Sequence, residues 1–153
     1  MIIRSLFAVT EIELVYRNKQ DAKDRPIIGK SQNAYDLFLA SWDMNKIELV
    51  EQFKILLMDH RRACMGISHV ATGGISDCVA DPRIIFATAL KARATSLIVA
   101  HNHPSGGLKP SRGDMGFTEN LKNGGKLLGI KVDDHLIVTP REYYSFADDG
   151  CMP

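Results

Sequence analysis

Four short apolar segments of strand length are interleaved with helical patterns in this chain, and their order constrains the fold more than any other feature. The segments lie at 53–58, 64–72, 97–100 and 135–139. Patterns that place apolar side chains on one helical face begin near Ser31, Asp81 and Ser111. This alternation is typical of layered α/β structures. We therefore predict one α/β domain in which a mixed sheet is flanked by helices.

Turn residues and helix caps refine this order. A polar turn separates the first two apolar segments, which predicts a β-hairpin. Asp81 and Pro82 suit the N-cap and first position of a helix that ends near residue 95. In the last helix, Gly124 and Gly125 mark either its end or a place where it lies close to the sheet. The inward stripe of that helix is predicted to consist of Phe117, Leu121 and Leu128.

Length and composition indicate one sizeable core. The chain has 153 residues, of which 45% are hydrophobic and 24% charged, as in an ordinary globular domain. Residues 5–16 show partial alternation typical of a strand, and the polar run 17–30 follows them. We interpret residues 1–30 as an N-terminal appendage and residues 31–153 as the domain.

Charge and cysteine content exclude several classes of protein. The net charge of +1 gives no overall field to hold nucleic acid or an anionic membrane. The three cysteines are odd in number and form no C-x-x-C pair, which argues against a disulfide framework. We see no signal peptide and no apolar run long enough to span a bilayer. We therefore expect a soluble, cytoplasmic protein with no membrane partner.

The end of the third apolar segment carries two histidines in a pattern suited to a metal. Because strand residues two apart point to the same side, His101 and His103 can direct two imidazoles at one point. The loop at 104–110 leads to Ser111, and Asp114 falls in the first turn of the next helix. Two nitrogens and one carboxylate oxygen can then surround one ion. Three protein ligands leave one position open, which is typical of catalytic zinc.

Each part of this pattern also has a purely structural interpretation. Ser111 and Asp114 fit a capping box, in which each side chain satisfies a free backbone N–H of the other residue. A histidine at the end of a strand is more often hydrogen-bonded than metal-bound. The spacing of the four residues together favours the metal site.

This spacing matches the H-x-H-x7-S-x2-D signature of the JAMM (JAB1/MPN) zinc metalloproteases. The string HNHPSG at 101–106 resembles the bacterial RadC-like branch of that family, as do DPR at 81–83 and DHLIV at 134–138. The resemblance covers about residues 45–153. It implies a JAB1/MPN-like domain with the metal site at the end of a central strand.

The resemblance also implies roles for individual residues. One Zn²⁺ ion would be held by the two histidines and the aspartate, with water as the fourth ligand. In that family a glutamate before an early strand acts as general acid/base; Glu51 fits best, and Glu48 is the nearby competitor. Ser111 would donate a hydrogen bond to the oxyanion. The implied activity is hydrolysis of a peptide or isopeptide bond in a peptide or protein substrate.

Two other functions are compatible with these residues. One is a non-catalytic accessory module, associated with DNA repair, whose metal is structural; the other, less favoured, is a metal nuclease. The basic residues at 60–62, with Lys91 and Arg93, suggest a weak or indirect DNA association, which the RadC name encourages. A solvated turn and an exposed helix face are commoner explanations.

Other candidate residues are interpreted more simply. His69 and His135 are candidates for a fourth ligand, but both lie in predicted strands. We therefore interpret them as core residues or as partners that orient a ligand. Asp134 could orient a neighbouring group by hydrogen bonding, and Cys64 and Cys78 are expected to be small buried side chains.

Overall fold

The strands of this chain form one mixed sheet with helices on both faces. The computed structural model describes residue 13 and residues 15–153; most of the predicted strand at 5–16 lies outside that range. The helices are α1 (Ser31–Ser41), α2 (Pro82–Lys91) and α3 (Arg112–Leu128), after a 3-10 turn at Ala22–Asp24. The strands are β1 (Gln52–Met58), β2 (Cys64–Thr72), β3 (Ser96–Asn102), β4 (Lys131–Val138) and β5 (Tyr143–Ser145). The predicted α/β architecture is confirmed.

The central strand of the sheet is β3, in the order β2-β1-β3-β4-β5. β1 pairs antiparallel with both β2 and β3, which confirms the predicted hairpin. β3 and β4 are parallel, whereas β4 and β5 are antiparallel. Two consecutive parallel strands need a crossover connection, and α3 supplies it. The start of α3 therefore follows directly from the carboxyl end of β3.

Alternating side chains of β1 enter two apolar cores on opposite faces of the sheet. Leu56 and Met58 pack in the core that includes α1. Ile55 and Leu57 pack in the core that includes α2 and α3. All seven residues of β1 and all seven of β3 are buried, which explains why these strands have almost continuous apolar sequences. Among the described residues, no helix is both long and apolar enough to cross a bilayer.

The chain before α1 already contacts the domain. Ile28 is fully buried, and its N–H donates to the carbonyl of Arg62 at 2.9 Å. The N–H of Cys64 donates to the carbonyl of Pro26 at 2.8 Å. The residues just before Ser31 therefore pack on the domain, and the division into an appendage and a domain at residue 30 stays a prediction.

Several element ends differ from those expected. α2 ends at Lys91, short of residue 95, because Arg93 adopts a φ of 60°, which a right-handed helix cannot continue. β4 begins at Lys131, four residues before the predicted start, and β5 has no counterpart in the predicted pattern. The first half of β4 is polar, and its buried Asp134 accepts a hydrogen bond from the Ser145 hydroxyl of β5 at 2.6 Å.

The inward stripe of α3 also differs from the predicted one. Leu121 is fully buried and Phe117 is partly buried, as expected, but Leu128 is 42% exposed. Thr118, a polar residue, is fully buried on the inward side. The sheet-facing surface of α3 is therefore not purely apolar.

The paired glycines do not end α3. A Cβ atom at Gly125 would lie 2.3 Å from the carbonyl oxygen of Ile130, so this glycine marks a close approach between the helix and the chain that follows it. The helix continues to Leu128 and is capped by Gly129, which has a left-handed φ of 68°. Of the two interpretations of the glycine pair, the close approach applies.

We expect Gly125→Ala to lower the free energy of unfolding by about 2 kcal/mol, because the new methyl group overlaps a backbone carbonyl. Gly116→Ala is the matched control in the same helix, since its Cβ would meet no atom within 4 Å. That change should raise stability by about 0.5–1 kcal/mol. Urea titration of both variants measures the difference, and equal effects would contradict the close approach.

Candidate metal centre

The two histidines of the H-x-H pattern lie at the carboxyl end of the central strand. His101 belongs to β3, pairs with Phe53 on β1 and Ile137 on β4, and is only 1% exposed. His103 follows directly after the strand, and its side chain is 20% exposed. The alternation of the strand therefore directs both imidazoles to one side, His101 from inside and His103 from the rim.

Asp114 reaches the histidines from the first turn of α3. Its Oδ1 lies 3.3 Å from Nε2 of His101. Its Oδ2 accepts a hydrogen bond from the N–H of Ser111 at 2.7 Å, while the Ser111 hydroxyl accepts from the N–H of Asp114 at 3.0 Å. This is a complete capping box. The capping and ligand interpretations of Asp114 are therefore compatible, because its two oxygens serve different partners.

The distances among these side chains suit one zinc ion. Nε2 of His101 lies 2.9 Å from Nε2 of His103, and Nε2 of His103 lies 4.0 Å from Oδ2 of Asp114. One donor atom from each of the three residues can be chosen so that all lie within 4.8 Å of one another. Ligands about 2.1 Å from zinc at tetrahedral angles are roughly 3.4 Å apart. The observed separations bracket this value.

The hydrogen bond on the outer side of His103 defines which of its nitrogens can bind a metal. Nδ1 lies 2.6 Å from the carbonyl oxygen of Gly107, which can only accept a hydrogen bond. Nδ1 therefore carries the proton, and in the neutral ring Nε2 carries the lone pair. This lone pair faces the carboxylate of Asp114, which is also an acceptor. A cation between them fits this donor set.

Burial keeps the innermost histidines neutral. Burial lowers the pKa of His101 to about 4, although the nearby Asp114 carboxylate acts in the opposite direction. His135 lies behind His101 in β4, is 1% exposed, and burial holds its pKa well below the ordinary value. Neutral imidazole is the form that binds zinc. His135 does not belong to the group of three converging ligands.

Glu51 precedes β1 at the mouth of the same site. Burial raises the pKa of its carboxyl group; the nearby His103 opposes this rise, and Asp114 adds to it. Glu51 lines the same cleft as His101, His103 and Asp114. Glu48, the competitor suggested by the sequence, is exposed and does not line this site.

An open cleft of about 510 Å³ joins these residues. Ser111 borders it, and the proton of its hydroxyl has no acceptor within the described part of the chain. That proton can be donated into the cleft. The exposed side chains of Ile75 and Val79 also line the cleft. The polar part of the lining is formed by Glu51, Ser76, Asp77, His101, His103, Ser105, Ser111, Asp114 and His135.

Asn102, between the two histidines, is a site residue that the sequence analysis did not single out. Its side chain is completely buried and points away from His101, His103 and Asp114. Its Oδ1 accepts from the N–H of Gln52 at 2.7 Å, and its Nδ2 donates to the carbonyls of Ile47 and Val50 at 2.7 and 2.9 Å. These bonds fix the backbone on both sides of Glu51. The alternation of β3 was the available signal, because it turns Asn102 to the face opposite the histidines.

The remaining candidates have other partners. His69 lies on β2, where Nε2 is 2.9 Å from the Thr72 hydroxyl. Arg61 forms an ion pair with Asp59, and Arg62 with Asp133. Arg61 and Arg62 thus have ion-pair partners within the domain, and the suggested DNA association stays a prediction. Cys64 is buried and Cys78 is half-buried beside the cleft.

This mixed sheet, with a His-His-Asp group at the end of its central strand, is the arrangement expected of a JAB1/MPN-like domain. A family model described as "RadC-like JAB domain" matches residues 28–151. The chain belongs to the RadC-like JAB domain family. The resemblance identified from the sequence is thus confirmed.

The chain is similar to several bacterial proteins named UPF0758. It is 40% identical to that of Flavobacterium johnsoniae over 100 residues, which cover 65% of this chain and 44% of the relative. The Protochlamydia amoebophila protein is 34% identical over 134 residues, 88% of this chain and 57% of the relative. The Thermotoga maritima protein is 39% identical over 100 residues, 65% and 45% of the two chains. The chain spans about half the length of the curated relatives it matches.

We expect Asn102→Ala to lower the free energy of unfolding by at least about 2 kcal/mol, because three backbone groups, two buried and one partly buried, lose their partner. Asn120→Ala, at an exposed position of α3, is the control and should change stability by less than about 0.5 kcal/mol. Chemical denaturation followed by circular dichroism gives both values. A small effect at residue 102 would contradict its anchoring of the segment around Glu51.

Proposed function

We propose that this protein is a zinc-dependent hydrolase of the JAMM type that cleaves a peptide or isopeptide bond. The observation that carries the proposal is the convergence of His101, His103 and Asp114 at an open cleft that Glu51 also enters. A structural zinc is normally closed by four protein ligands. Three ligands beside a cleft, with a half-buried carboxyl group next to them, favour a catalytic site over an accessory module with a structural metal.

The three converging side chains would hold the ion. When bound, zinc supplies Lewis-acid activation of water and of the scissile carbonyl group. The residues present fit this ion, because two imidazole nitrogens and one carboxylate oxygen are a donor set found in catalytic zinc sites. The buried His101 and the hydrogen-bonded Asp114 hold two of these donors in place before any ion arrives.

Glu51 is the residue proposed to move protons. Burial raises its pKa, and a higher pKa makes a carboxylate a better proton acceptor. As a carboxylate it takes a proton from the attacking water. It then delivers that proton to the nitrogen of the leaving amine as the carbon–nitrogen bond breaks. Both transfers need a carboxyl group that reaches into the cleft.

Ser111 is proposed to stabilise the oxyanion of the tetrahedral intermediate. Its hydroxyl oxygen is held by the N–H of Asp114, which leaves the hydroxyl proton to be donated toward the substrate. A donor fixed before the reaction lowers the energy of charge that develops only in the transition state. The substrate itself would be a peptide or protein segment that enters the cleft lined by Ser111, Ile75 and Val79.

Protein purified without chelator should contain about one zinc ion per chain, because three donors converge on one point. His103→Ala and Asp114→Ala should each reduce the bound metal strongly. His60→Ala, at an exposed position in the β1–β2 turn, is the control and should keep it. Elemental analysis after gel filtration gives the ratio. Absence of stoichiometric metal from the parent protein would contradict the catalytic proposal.

Glu51→Gln should retain the zinc but reduce hydrolysis by at least about 100-fold, because the amide cannot take a proton from water. Glu48→Gln is the matched control, since Glu48 is exposed and outside the cleft. Both variants are assayed with an unbiased library of peptides and isopeptides. Equal turnover by the parent protein and Glu51→Gln would remove Glu51 from the mechanism.

A further inference from the structure

A chain of three short hydrogen bonds leads from the inner side of His101 back to α3. Nδ1 of His101 lies 2.8 Å from Nε2 of His135. Nδ1 of His135 lies 2.7 Å from the hydroxyl oxygen of Thr118. That hydroxyl lies 2.6 Å from the carbonyl oxygen of Asp114. The side chains of His101, His135 and Thr118 are all buried, so water does not compete for these bonds.

The last acceptor, the carbonyl oxygen of Asp114, determines the direction of all three hydrogen bonds. A carbonyl oxygen only accepts, so the Thr118 hydroxyl must donate its single proton to Asp114. The hydroxyl oxygen can then only accept from Nδ1 of His135. A neutral imidazole has one N–H, so Nε2 of His135 is an acceptor. The remaining bond must therefore be donated by Nδ1 of His101.

The neutral form of His135 follows from its surroundings. The ring is stacked on Phe146, with centroids 4.7 Å apart and an angle of 8° between the planes. Phe53 lies edge-on at 5.8 Å. Neither ring nitrogen of His135 contacts a carboxylate. A buried imidazolium without an anionic partner is strongly disfavoured.

The direction of these hydrogen bonds determines which nitrogen of His101 faces the proposed metal site. With its proton on Nδ1, the neutral ring of His101 presents a lone pair at Nε2. The neutral ring of His103 also presents a lone pair at Nε2, because its Nδ1 donates a hydrogen bond to the carbonyl oxygen of Gly107. The Nε2 atom of His101 therefore faces Nε2 of His103 at 2.9 Å and Oδ1 of Asp114 at 3.3 Å, the donor atoms of the proposed metal site.

We infer that Thr118 and His135 are positioning residues that hold His101 in the tautomer whose Nε2 is free to bind zinc. This inference rests on the proposed metal site and adds to it the two residues that prepare its innermost ligand. Hydrogen-bond partners of ligating histidines commonly change metal affinity by about 10- to 100-fold. Here the partner is a second histidine, and its own orientation is set by the hydroxyl of Thr118.

The test uses a pair of substitutions that differ in one group. Thr118→Val keeps the branched shape but removes the hydroxyl, so that His135 can adopt either tautomer. Thr118→Ser keeps the hydroxyl and is the control. In metal-free protein, long-range ¹H–¹⁵N NMR of the histidine side chains should report His101 protonated at Nδ1 in the parent and in Thr118→Ser. A population protonated at Nε2 should appear in Thr118→Val.

Zinc affinity is measured on the same proteins by competition with a chromophoric chelator. Thr118→Val should bind zinc about 10- to 100-fold more weakly, and Thr118→Ser should stay close to the parent. A parent protein with His101 protonated at Nε2 overturns the inference, and so does an unchanged zinc affinity in Thr118→Val. The NMR measurement on the parent needs no variant to fold. If the parent shows the Nδ1 tautomer but binds no zinc, the proposed function fails while the hydrogen-bond chain stands.

Discussion

The parallel pairing of β3 with β4 is the constraint on which the rest of the site depends. It places His135 beside Val99, so that the imidazole of β4 lies behind the one at the end of β3. A parallel pair also requires a crossover, and α3 must start where β3 ends. Asp114 and Thr118 thereby face the same histidines. The proposed metal ligands and their supporting residues thus come mainly from one βαβ unit.

The first turn of α3 serves two purposes with one carboxylate. The capping box fixes the rotamer of Asp114, since Oδ2 is bound to the N–H of Ser111. The positive end of the helix dipole stabilises the same negative charge. Oδ1 is then directed toward His101 by the helix start itself. A motif that stabilises the helix thus also orients the proposed third ligand.

How much the sequence predicts depends on whether a contact is local. The ligand set follows from strand alternation and from a helix start, both of which operate over a few residues. Asn102 contacts Gln52, which is 50 residues away, and Thr118 contacts His135 in another element. Polar residues at such positions cannot be told from exposed ones by pattern alone. The same holds for the first half of β4, where the buried Asp134 makes a core strand resemble a loop.

The direction of the hydrogen bonds behind His101 depends on a group that cannot reverse. A hydroxyl or an imidazole can exchange donor and acceptor roles, but the backbone carbonyl of Asp114 cannot. Reversing the chain would leave that carbonyl facing a hydroxyl oxygen without a proton, in a region closed to water. The hydroxyl and carbonyl oxygens, 2.6 Å apart, would then repel each other, which disfavours the reversed direction. Asp114, the proposed carboxylate ligand through its side chain, therefore also sets the tautomer of His101 through its backbone.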